Sequence, residues 1–309
     1  MAILNNSVVL PVEYAREIIR GVLGRSKALE LGRRLPDMRG KTYRLNVLSS
    51  LPLAGWVGLT NNVPNAKPLS DLAWEGVDLV AEEIAVIVPI SINTLRDVEN
   101  WVDIVPEISE QVVGAFQQII DATAFFGVNS PFPTASLPSG GIVGAAAAAQ
   151  NTVTWNGQGG TSFYDAVNQA MLKVEEDGYL PNAILGGPSL NSAFRGSITN
   201  LGVVSADQGE IGALPRHIDL TGGFNESTAF AVVGDFNYLV YAFREEMEMR
   251  LLSEATLTDG TNTYNLAQQD MIAFRFTMRL GIAVPNPVNR VNGTAATRYP
   301  FATITKSSE

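Results

Sequence analysis

Residues 231–255 read AVVGDFNYLVYAFREEMEMRLLSEA and, after a polar, turn-rich break, residues 268–287 read QQDMIAFRFTMRLGIAVPNP. Alternation of polar and apolar residues is typical of a half-buried strand. In the first stretch the alternation separates charged from apolar side chains: Glu246, Glu248 and Arg250 lie on one face and Met247, Met249 and Leu251 on the other. The two stretches therefore predict a pair of long strands in one sheet, with the acidic run on its solvated face.

Motifs for catalysis or metal binding are incomplete in this chain. Asp97, Glu99 and Asp103 have only part of the spacing of a calcium loop. Residues 157–160 are glycine-rich but lack the Lys-Ser/Thr pair of a phosphate loop. Cysteine is absent and His217 is the single histidine, which excludes thiolate sites and zinc sites built on several histidines. The sequence therefore predicts no catalytic, metal or cofactor-binding site, and no enzyme.

Composition points instead to a protein with large contact surfaces. The chain has 309 residues, of which 46% are hydrophobic and 17% are charged. About 25% charged residues is typical of a soluble domain. Because the centres of subunit interfaces are depleted of charge, a low charged fraction favours an oligomer. The chain shows neither a signal-peptide pattern nor an apolar run long enough to span a bilayer, so we expect no membrane association.

The charge is unevenly distributed along the chain. The net charge is −10, yet residues 1–50 hold nine basic and four acidic residues, a balance of +5 that leaves −15 on the remainder. A basic segment on an acidic body can clamp the acidic surface of a neighbouring copy. The alternative is that the segment faces nucleic acid, although only Tyr14 and Tyr43 could supply the interleaved stacking residues.

A long hairpin is predicted between residues 41 and 92. Residues 41–47 alternate as a strand, residues 48–72 are loop-like, and residues 73–92 return to strand character. Trp56 and Trp74 lie on either side of the tip. Exposed tryptophans would be a liability in a monomer, so we expect the hairpin to lie on another subunit. The alternative is that both tryptophans fold back onto the base of their own hairpin.

The clearest helix is predicted for residues 105–126, with Pro106 near its start. Spacings of three and four place apolar residues on one predicted face: Ile108, Val112, Ala115, Ile119, Ala122 and Phe126. After it, residues 127–160 are interpreted as a connector, because the alanine run 145–149 is too short to form a helix by itself.

A mixed α/β region is predicted for the next part of the chain. Residues 162–176 have the pattern of an amphipathic helix, residues 179–185 of a buried strand, and residues 189–198 of a third helix. Residues 200–228 are glycine-rich and are interpreted as a loop. Helices alternating with a strand indicate a mixed α/β domain.

Several short segments, taken in order, resemble the HK97-type bacteriophage major capsid proteins. They are AGWVG at residues 54–58, PISINTLRD at 89–97, GYLPNAI at 178–184, GDF at 234–236, and the strand at 275–285. Each segment is short, but their order and spacing extend along nearly the whole chain. The resemblance implies an α+β, HK97-like capsid fold with an N-terminal arm, an extended β-hairpin loop, a long spine helix and an axial α/β domain.

The resemblance also implies boundaries for these parts. The N-terminal arm spans residues 1–44 and the extended loop (E-loop) residues 45–83. The P-domain with its spine helix spans residues 84–130 and the A-domain residues 131–263. Residues 264–309 hold the closing P-domain strands and a C-terminal tail.

In function, the resemblance implies a structural protein of the virion. Copies would assemble in the host cytoplasm into hexamers and pentamers of an icosahedral shell, which encloses double-stranded DNA without sequence-specific binding. A separate scaffolding protein and a portal are expected partners. The alternative is an encapsulin-type shell, the same fold used by cells to enclose enzymes.

Seven residues are predicted to contact neighbouring subunits: Arg16, Arg20, Arg33, Arg34, Trp56, Lys67 and Trp74. One type of relative crosslinks a loop lysine to an asparagine with the help of a carboxylate. Lys67 has a suitable position for this, and Asn262 or Asn265 could be its partner. Residues 271–281 contain no acid to remove the lysine proton, so the sequence favours a shell held by noncovalent contacts.

Overall fold

The computed structural model describes residues 26–57, 59–60, 63–64, 66–67, 69–93, 101–156, 163–196, 210–211, 214–258 and 260–307. The elements of the first half are α1 (Lys27–Leu31), β1 (Arg33–Arg34), β2 (Thr42–Ser50), β3 (Leu59–Thr60), β4 (Val63–Pro64), β5 (Ala73–Val80), β6 (Glu82–Ser91), α2 (Trp101–Phe126) and α3 (Gly141–Ala148). Then follow β7 (Thr152–Trp155), α4 (Phe163–Glu176), β8 (Ala183–Gly186), α5 (Ser189–Gly196), β9 (Glu210–Ile211), β10 (Leu214–Ile218) and β11 (Ala231–Gly234). A 3₁₀ turn (Phe236–Tyr238) precedes β12 (Val240–Leu252), β13 (Thr256–Thr258), β14 (Thr263–Asn265), β15 (Met271–Ala283) and β16 (Phe301–Lys306).

The two predicted long strands are neighbours in a four-stranded sheet with the order β1-β12-β15-β6. β12 and β15 pair antiparallel from Val240 opposite Ala283 to Leu252 opposite Ala273. The predicted alternation is confirmed, because Met247 is buried while Glu246 and Glu248 are exposed. The apolar face of this sheet packs on the long helix α2 in the largest core cluster.

A second sheet has six strands in the order β7-β16-β11-β8-β10-β9. β8 and β11 are buried at every residue, which fits central strands covered on both sides. Helix α4 packs on one side of it through Phe163, Val167 and Val174, as the amphipathic pattern predicted. Phe163 lies at the centre of an aromatic group, with ring centroids 5.0 Å from Phe194 and 5.5 Å from Phe230.

Three segments differ from the sequence-based expectation. The connector contains helix α3, because residues 141–148 gain a buried environment that an isolated alanine run lacks. The predicted loop 200–228 contains strand β10, which pairs parallel with β8. Residues 264–309 are divided between the sheets, since β15 lies in the four-stranded sheet and β16 in the six-stranded one.

The long helix also differs from its predicted face and start. It begins at Trp101, so Pro106 lies inside it, where the proline ring removes a backbone hydrogen bond. Ile119, predicted as a core residue, is 50% exposed, whereas Ile120 is 1% exposed. The buried face also contains the polar residues Gln117 and Asp121, whose partners make burial possible and which a hydropathy pattern excludes.

The predicted hairpin is confirmed as the antiparallel ribbon of β2 and β5, from Thr42 opposite Val80 to Ser50 opposite Ala73. Its base enters a small separate core in which Leu79 contacts Met38 and the ends of β12 and β15, with Leu45 and Val77 at the edge. No helix in the described residues combines the length and hydropathy needed to cross a bilayer.

Candidate subunit interface

The outer half of the hairpin carries a row of exposed apolar side chains. We call the row the apolar strip; its members are Leu53, Trp56, Val57, Leu69, Leu72 and Trp74. Trp56 and Leu69 are fully exposed and Trp74 is 64% exposed, so the alternative that both tryptophans fold onto their own hairpin is wrong. Exposed apolar patches of this kind mark interaction sites in soluble proteins.

The strip is also nearly free of charge. Lys67 is the single charged residue between positions 51 and 70, and its side chain is exposed. Asp71 and Glu75 flank Leu72 and Trp74 in the sequence, and nearer the base Arg44 on β2 donates to Asp78 on β5 with its Nε at 2.7 Å and a terminal nitrogen at 3.1 Å. The Arg44 hydrogen bond lowers the pKa of Asp78. Gly76 lets the arginine lie flat across the ribbon, since a Cβ there would approach Arg44 Nε to 2.6 Å.

The amino-terminal segment is held by a carboxylate of the long helix. Asp121, on α2, is fully buried and accepts hydrogen bonds from the Ser26 hydroxyl at 2.7 Å and the Ala28 amide at 2.9 Å. The Lys27 amide donates to its other oxygen at 3.2 Å. The Thr221 hydroxyl lies 3.3 Å from that oxygen and donates to Asp219 at 2.7 Å. Burial nevertheless raises the pKa of Asp121 to about 6, helped by the nearby charge of Asp219.

Two of the predicted arm residues lie next to the four-stranded sheet. Arg33 and Arg34 form β1, which pairs parallel with Val240 and Tyr241 of β12. The Arg34 guanidinium lies 5.2 Å from the centre of the Phe243 ring and donates to Asp37 at 2.9 Å. Arg34 therefore has partners in its own subunit. Arg16 and Arg20 lie outside the described residues.

An apolar groove of about 300 Å³ runs beside the long helix. Ile119 and Val128 line one side, Ile84 and Ile282 the other, and Glu83 lies at its edge. The groove accounts for the half-exposed Ile119, which sequence periodicity assigned to the core. A continuous apolar surface here is a second candidate contact.

The acidic residues near β15 belong to the adjacent strands β6 and β12 of the same subunit and not to β15 itself. Arg279 lies opposite Glu83 of β6 and donates to Glu245 of β12 at 3.2 Å. The sequence could not show this, because register brings together residues far apart in the chain. Lys67 is exposed, and Asn265 belongs to the short hairpin of β13 and β14. A shell without covalent crosslinks therefore stays a prediction.

The surroundings of the single histidine indicate a structural role. His217, on β10, places its Nδ1 3.7 Å from Glu30, and burial lowers its pKa. Within the described ranges, no group of three or more histidine, aspartate or glutamate side chains could hold a metal ion. Asp97 and Glu99 lie outside the described residues.

The chain was compared with known proteins. The model of the phage capsid family matches residues 6–198 and 215–289. A solved structure from Microbacterium phage Oxtober96 is 32% identical, with a TM-score of 0.79, and the match covers 92% of this chain and 91% of that one. One from Mycobacterium phage Adephagia is 26% identical, with a TM-score of 0.80 and the same coverage. No curated protein matches the chain.

A more distant structure shares the fold alone. The chain from Gordonia phage Cozz is 16% identical, with a TM-score of 0.69, and the match covers 92% of this chain and 87% of that one. The fold is thus a mixed α+β fold of phage capsid structures, as the resemblance implied. Since the family model spans well over half of its length, this chain belongs to the phage capsid family.

Proposed function

We propose that this capsid protein is the major coat subunit of a tailed bacteriophage, and that its copies form the icosahedral shell around the double-stranded DNA genome. Hexamers and pentamers are the proposed building units. In this proposal the hairpin of each subunit lies on a neighbour and the shell is held by noncovalent contacts. A separate scaffolding protein and a portal would complete assembly in the host cytoplasm.

The apolar strip is the observation that carries the proposal. Six large apolar side chains lie exposed in the outer half of one hairpin, where Lys67 is the single charged residue between positions 51 and 70. A monomer would gain nothing from exposing them, whereas a neighbouring subunit would remove them from water. Complete burial of one large apolar side chain stabilises a contact by about 1.5–3 kcal/mol. Repeated around a shell, such contacts are sufficient to drive assembly without covalent bonds.

Truncation of Trp56 tests the role of the strip. Because the Trp56 side chain is fully exposed in the subunit, Trp56→Ala should leave the subunit folded and reduce particle yield at least tenfold. The matched controls are Trp56→Phe, which keeps an aromatic ring, and Leu180→Ala, which truncates an exposed residue outside the hairpin. Electron microscopy counts particles and circular dichroism confirms folding. Normal particle yield from Trp56→Ala would contradict this role.

Trp74 and Lys67 are proposed to lie at the same contact. Trp74 faces solvent on β5 and Lys67 lies near the tip, where it could pair with an acid of the neighbour. Glu83 beside the apolar groove has the charge for such a pair. Lys67→Ala should therefore lower particle yield less than Trp56→Ala, since exposed ion pairs contribute little.

The basic arm is proposed to clamp the acidic body of a neighbour. Its candidate residues are Arg16, Arg20, Arg33 and Arg34. Removing residues 1–25 should reduce assembly and should also flatten its salt dependence, since salt screens charge pairs. If the arm instead faces DNA, the truncated chain should form empty particles with the same yield as the full chain. Particle yield between about 50 and 500 mM salt distinguishes the two roles.

The implied boundaries remain part of the proposal: arm 1–44, E-loop 45–83, P-domain 84–130 with 264–309, and A-domain 131–263. Two strands cross these limits. β12 falls in the A-domain range but pairs in the four-stranded sheet, and β16 falls in the closing segment but pairs in the six-stranded sheet. We propose that the two sheets, rather than contiguous segments, define the two units. The encapsulin alternative is not favoured, because the matching family is that of phage capsids.

A further inference from the structure

The middle of the hairpin is contacted by a loop from the other end of the chain. The amide of Val288 donates to the Leu48 carbonyl at 2.9 Å, and a guanidinium nitrogen of Arg290 donates to the Pro52 carbonyl at 3.1 Å. The hairpin base is packed in its own small core as far out as Leu45. Leu48 lies three residues, about 10 Å, beyond Leu45. The loop thus contacts the ribbon where core packing has ended.

The ribbon is irregular at the same place. Leu48 lies opposite Trp74, but the next pair is Ser50 with Ala73, so Ser49 is an extra residue in β2. An extra residue of this kind forms a bulge, which bends a strand and leaves a backbone group free for another partner. Leu48, the paired residue just before the bulge, accepts the Val288 amide through its carbonyl. The bend in the ribbon and the external contact therefore coincide.

Side-chain hydrogen bonds to backbone groups hold the contacting loop in its conformation. We call residues 286–292 the supporting loop. Asn289 donates to the Asp177 carbonyl at 2.6 Å, and its own Oδ1 accepts from the amides of Val291 and Asn292 at 3.0 and 2.9 Å. Arg298 is buried and donates to Asn292 and Asn286 from the far side.

Asp177 connects the supporting loop to the six-stranded sheet. Its side chain is buried just after helix α4, and one oxygen accepts from Asn292 at 2.7 Å. The other oxygen accepts from Asn151 at 2.6 Å and from the Tyr299 amide at 2.9 Å, next to strands β7 and β16. Hydrogen bonds to a carboxylate are stronger than those between neutral groups. This carboxylate therefore links the supporting loop to the sheet, alongside the Tyr179 hydroxyl, which donates to Asn286 at 2.8 Å.

We propose that the supporting loop sets the direction in which the hairpin projects, and that Asp177 is the positioning residue of this device. The hairpin is a two-stranded ribbon, and such ribbons are marginal without support. Fixed at its bulge to the six-stranded sheet, it points in one direction. Released there, it swings about its base. The value of a fixed direction for assembly rests on the proposed function, but the device lies within one subunit.

The absence of cysteine from the chain allows a direct distance measurement. Spin labels at Leu69→Cys, on the hairpin, and Leu172→Cys, on α4, would report the hairpin direction in the full-length, unassembled subunit. Both positions are exposed, so the labels should not disturb packing. With the supporting loop intact, pulsed electron resonance should give one narrow distance distribution.

Three variants weaken the support. Arg290→Ala removes the contact with Pro52, and Val288→Pro removes the amide that donates to Leu48. Asp177→Ala removes the carboxylate that accepts from Asn292, Asn151 and Tyr299, while the bond from Asn289 to the backbone carbonyl of residue 177 stays. Asp177→Asn, which keeps one acceptor oxygen, should recover part of the effect. We expect the distribution to broaden at least twofold in Asp177→Ala and in the combined Arg290→Ala, Val288→Pro chain. Arg250→Ala, which breaks an exposed pair with Glu248 elsewhere, should leave the distribution unchanged.

The inference is overturned if the combined Arg290→Ala, Val288→Pro chain keeps the narrow distribution. These two positions are not in the core, so the test stands even if Asp177→Ala fails to fold. Particle yield separates this result from the proposed function. A broad distribution with normal particles would support the supporting loop and contradict the role of the hairpin in assembly. An unchanged distance distribution in the combined chain, together with loss of particles in Trp56→Ala, would contradict the role of the supporting loop and support the role of the hairpin in assembly.

Discussion

The Asp121 carboxylate on the long helix accepts the backbone amide of Ala28 at 2.9 Å, and so caps a helix that lies 93 residues earlier in the chain. Helix α1 has five residues, too few to be stable by itself. Its position therefore depends on the carboxylate of another helix. From α1 the chain continues into β1, which pairs with β12 in the four-stranded sheet.

We predict that Asp121→Ala frees the segment before the four-stranded sheet. The change leaves buried donors at Ser26 and Ala28 without an acceptor, which should cost roughly 3 kcal/mol of unfolding free energy. Hydrogen exchange at residues 26–31 should accelerate, while exchange in β15 should change little. Thr221→Val is the control, since it removes a hydroxyl beside Asp121 that bonds Asp219 and the Gly223 amide, and leaves the bonds from Ser26, Lys27 and Ala28 to Asp121 intact. If residues 26–31 exchange as slowly in Asp121→Ala as in the parent chain, this role of the carboxylate would be contradicted.

Asp121 should also make stability depend on pH. Its pKa is about 6 in the folded chain, above the ordinary value of 3.8, so the native state binds more protons than the unfolded state between these values. The unfolding free energy contributed by this group is therefore highest below about pH 4 and falls as the pH rises through 6. Urea unfolding at several pH values should show this decline in the parent chain. The decline should be smaller in Asp121→Asn, and equal slopes in both chains would rule out Asp121 as its source.

The crossing of the hairpin over β15 requires a residue without a side chain. A Cβ at Gly281 would lie 2.8 Å from Leu79 Cγ and 3.0 Å from the Val80 carbonyl. Gly281→Ala should therefore destabilise the subunit by about 1–3 kcal/mol. The matched control is Gly114→Ala inside the long helix, where a Cβ meets nothing within 4 Å. That change should stabilise the chain by about 0.5–1 kcal/mol, and thermal unfolding of both variants gives the comparison.

Truncation of the two adjacent isoleucines of the long helix should destabilise the subunit to very different extents. Ile120→Ala removes a buried side chain and should cost about 2–5 kcal/mol. Ile119→Ala, at a half-exposed site, should cost less than about 1 kcal/mol in the isolated subunit. If the groove beside Ile119 is covered in the shell, this variant should instead lower particle yield. If both variants lose similar stability, Ile119 would belong to the buried face of the helix, as sequence periodicity predicted.

These isoleucines show where sequence reasoning reaches its limit. Apolar spacing predicted the existence of the long helix and its end at Phe126, as well as the two strands beside it. It placed the buried face incorrectly because it could not count Asp121 and Gln117 as buried residues. Their burial depends on hydrogen bonds to partners whose proximity the sequence does not show.

The same limit applies to elements that depend on distant partners. The alanine run gains a helix because residues 141–148 are packed into the main core. Strand β10 exists through pairing with β8, although its sequence, LPRHI, begins with a Leu-Pro step and lacks alternation. By contrast, the hairpin and its exposed tryptophans were predictable from local alternation and composition. The candidate interface was thus largely visible in the sequence, whereas the loop that supports it was not.

The position of β16 has a consequence for synthesis of the protein. This strand lies between β7 and β11, and it pairs Thr303 with Thr152 across 151 positions of the chain. The sheet therefore stays open between β7 and β11 until residues 301–306 have emerged from the ribosome, long after the hairpin has been made. Such long-range pairing folds slowly. A nascent chain thus exposes its apolar strip before its second sheet can close, which makes premature contact between neighbouring nascent chains a hazard on a polysome.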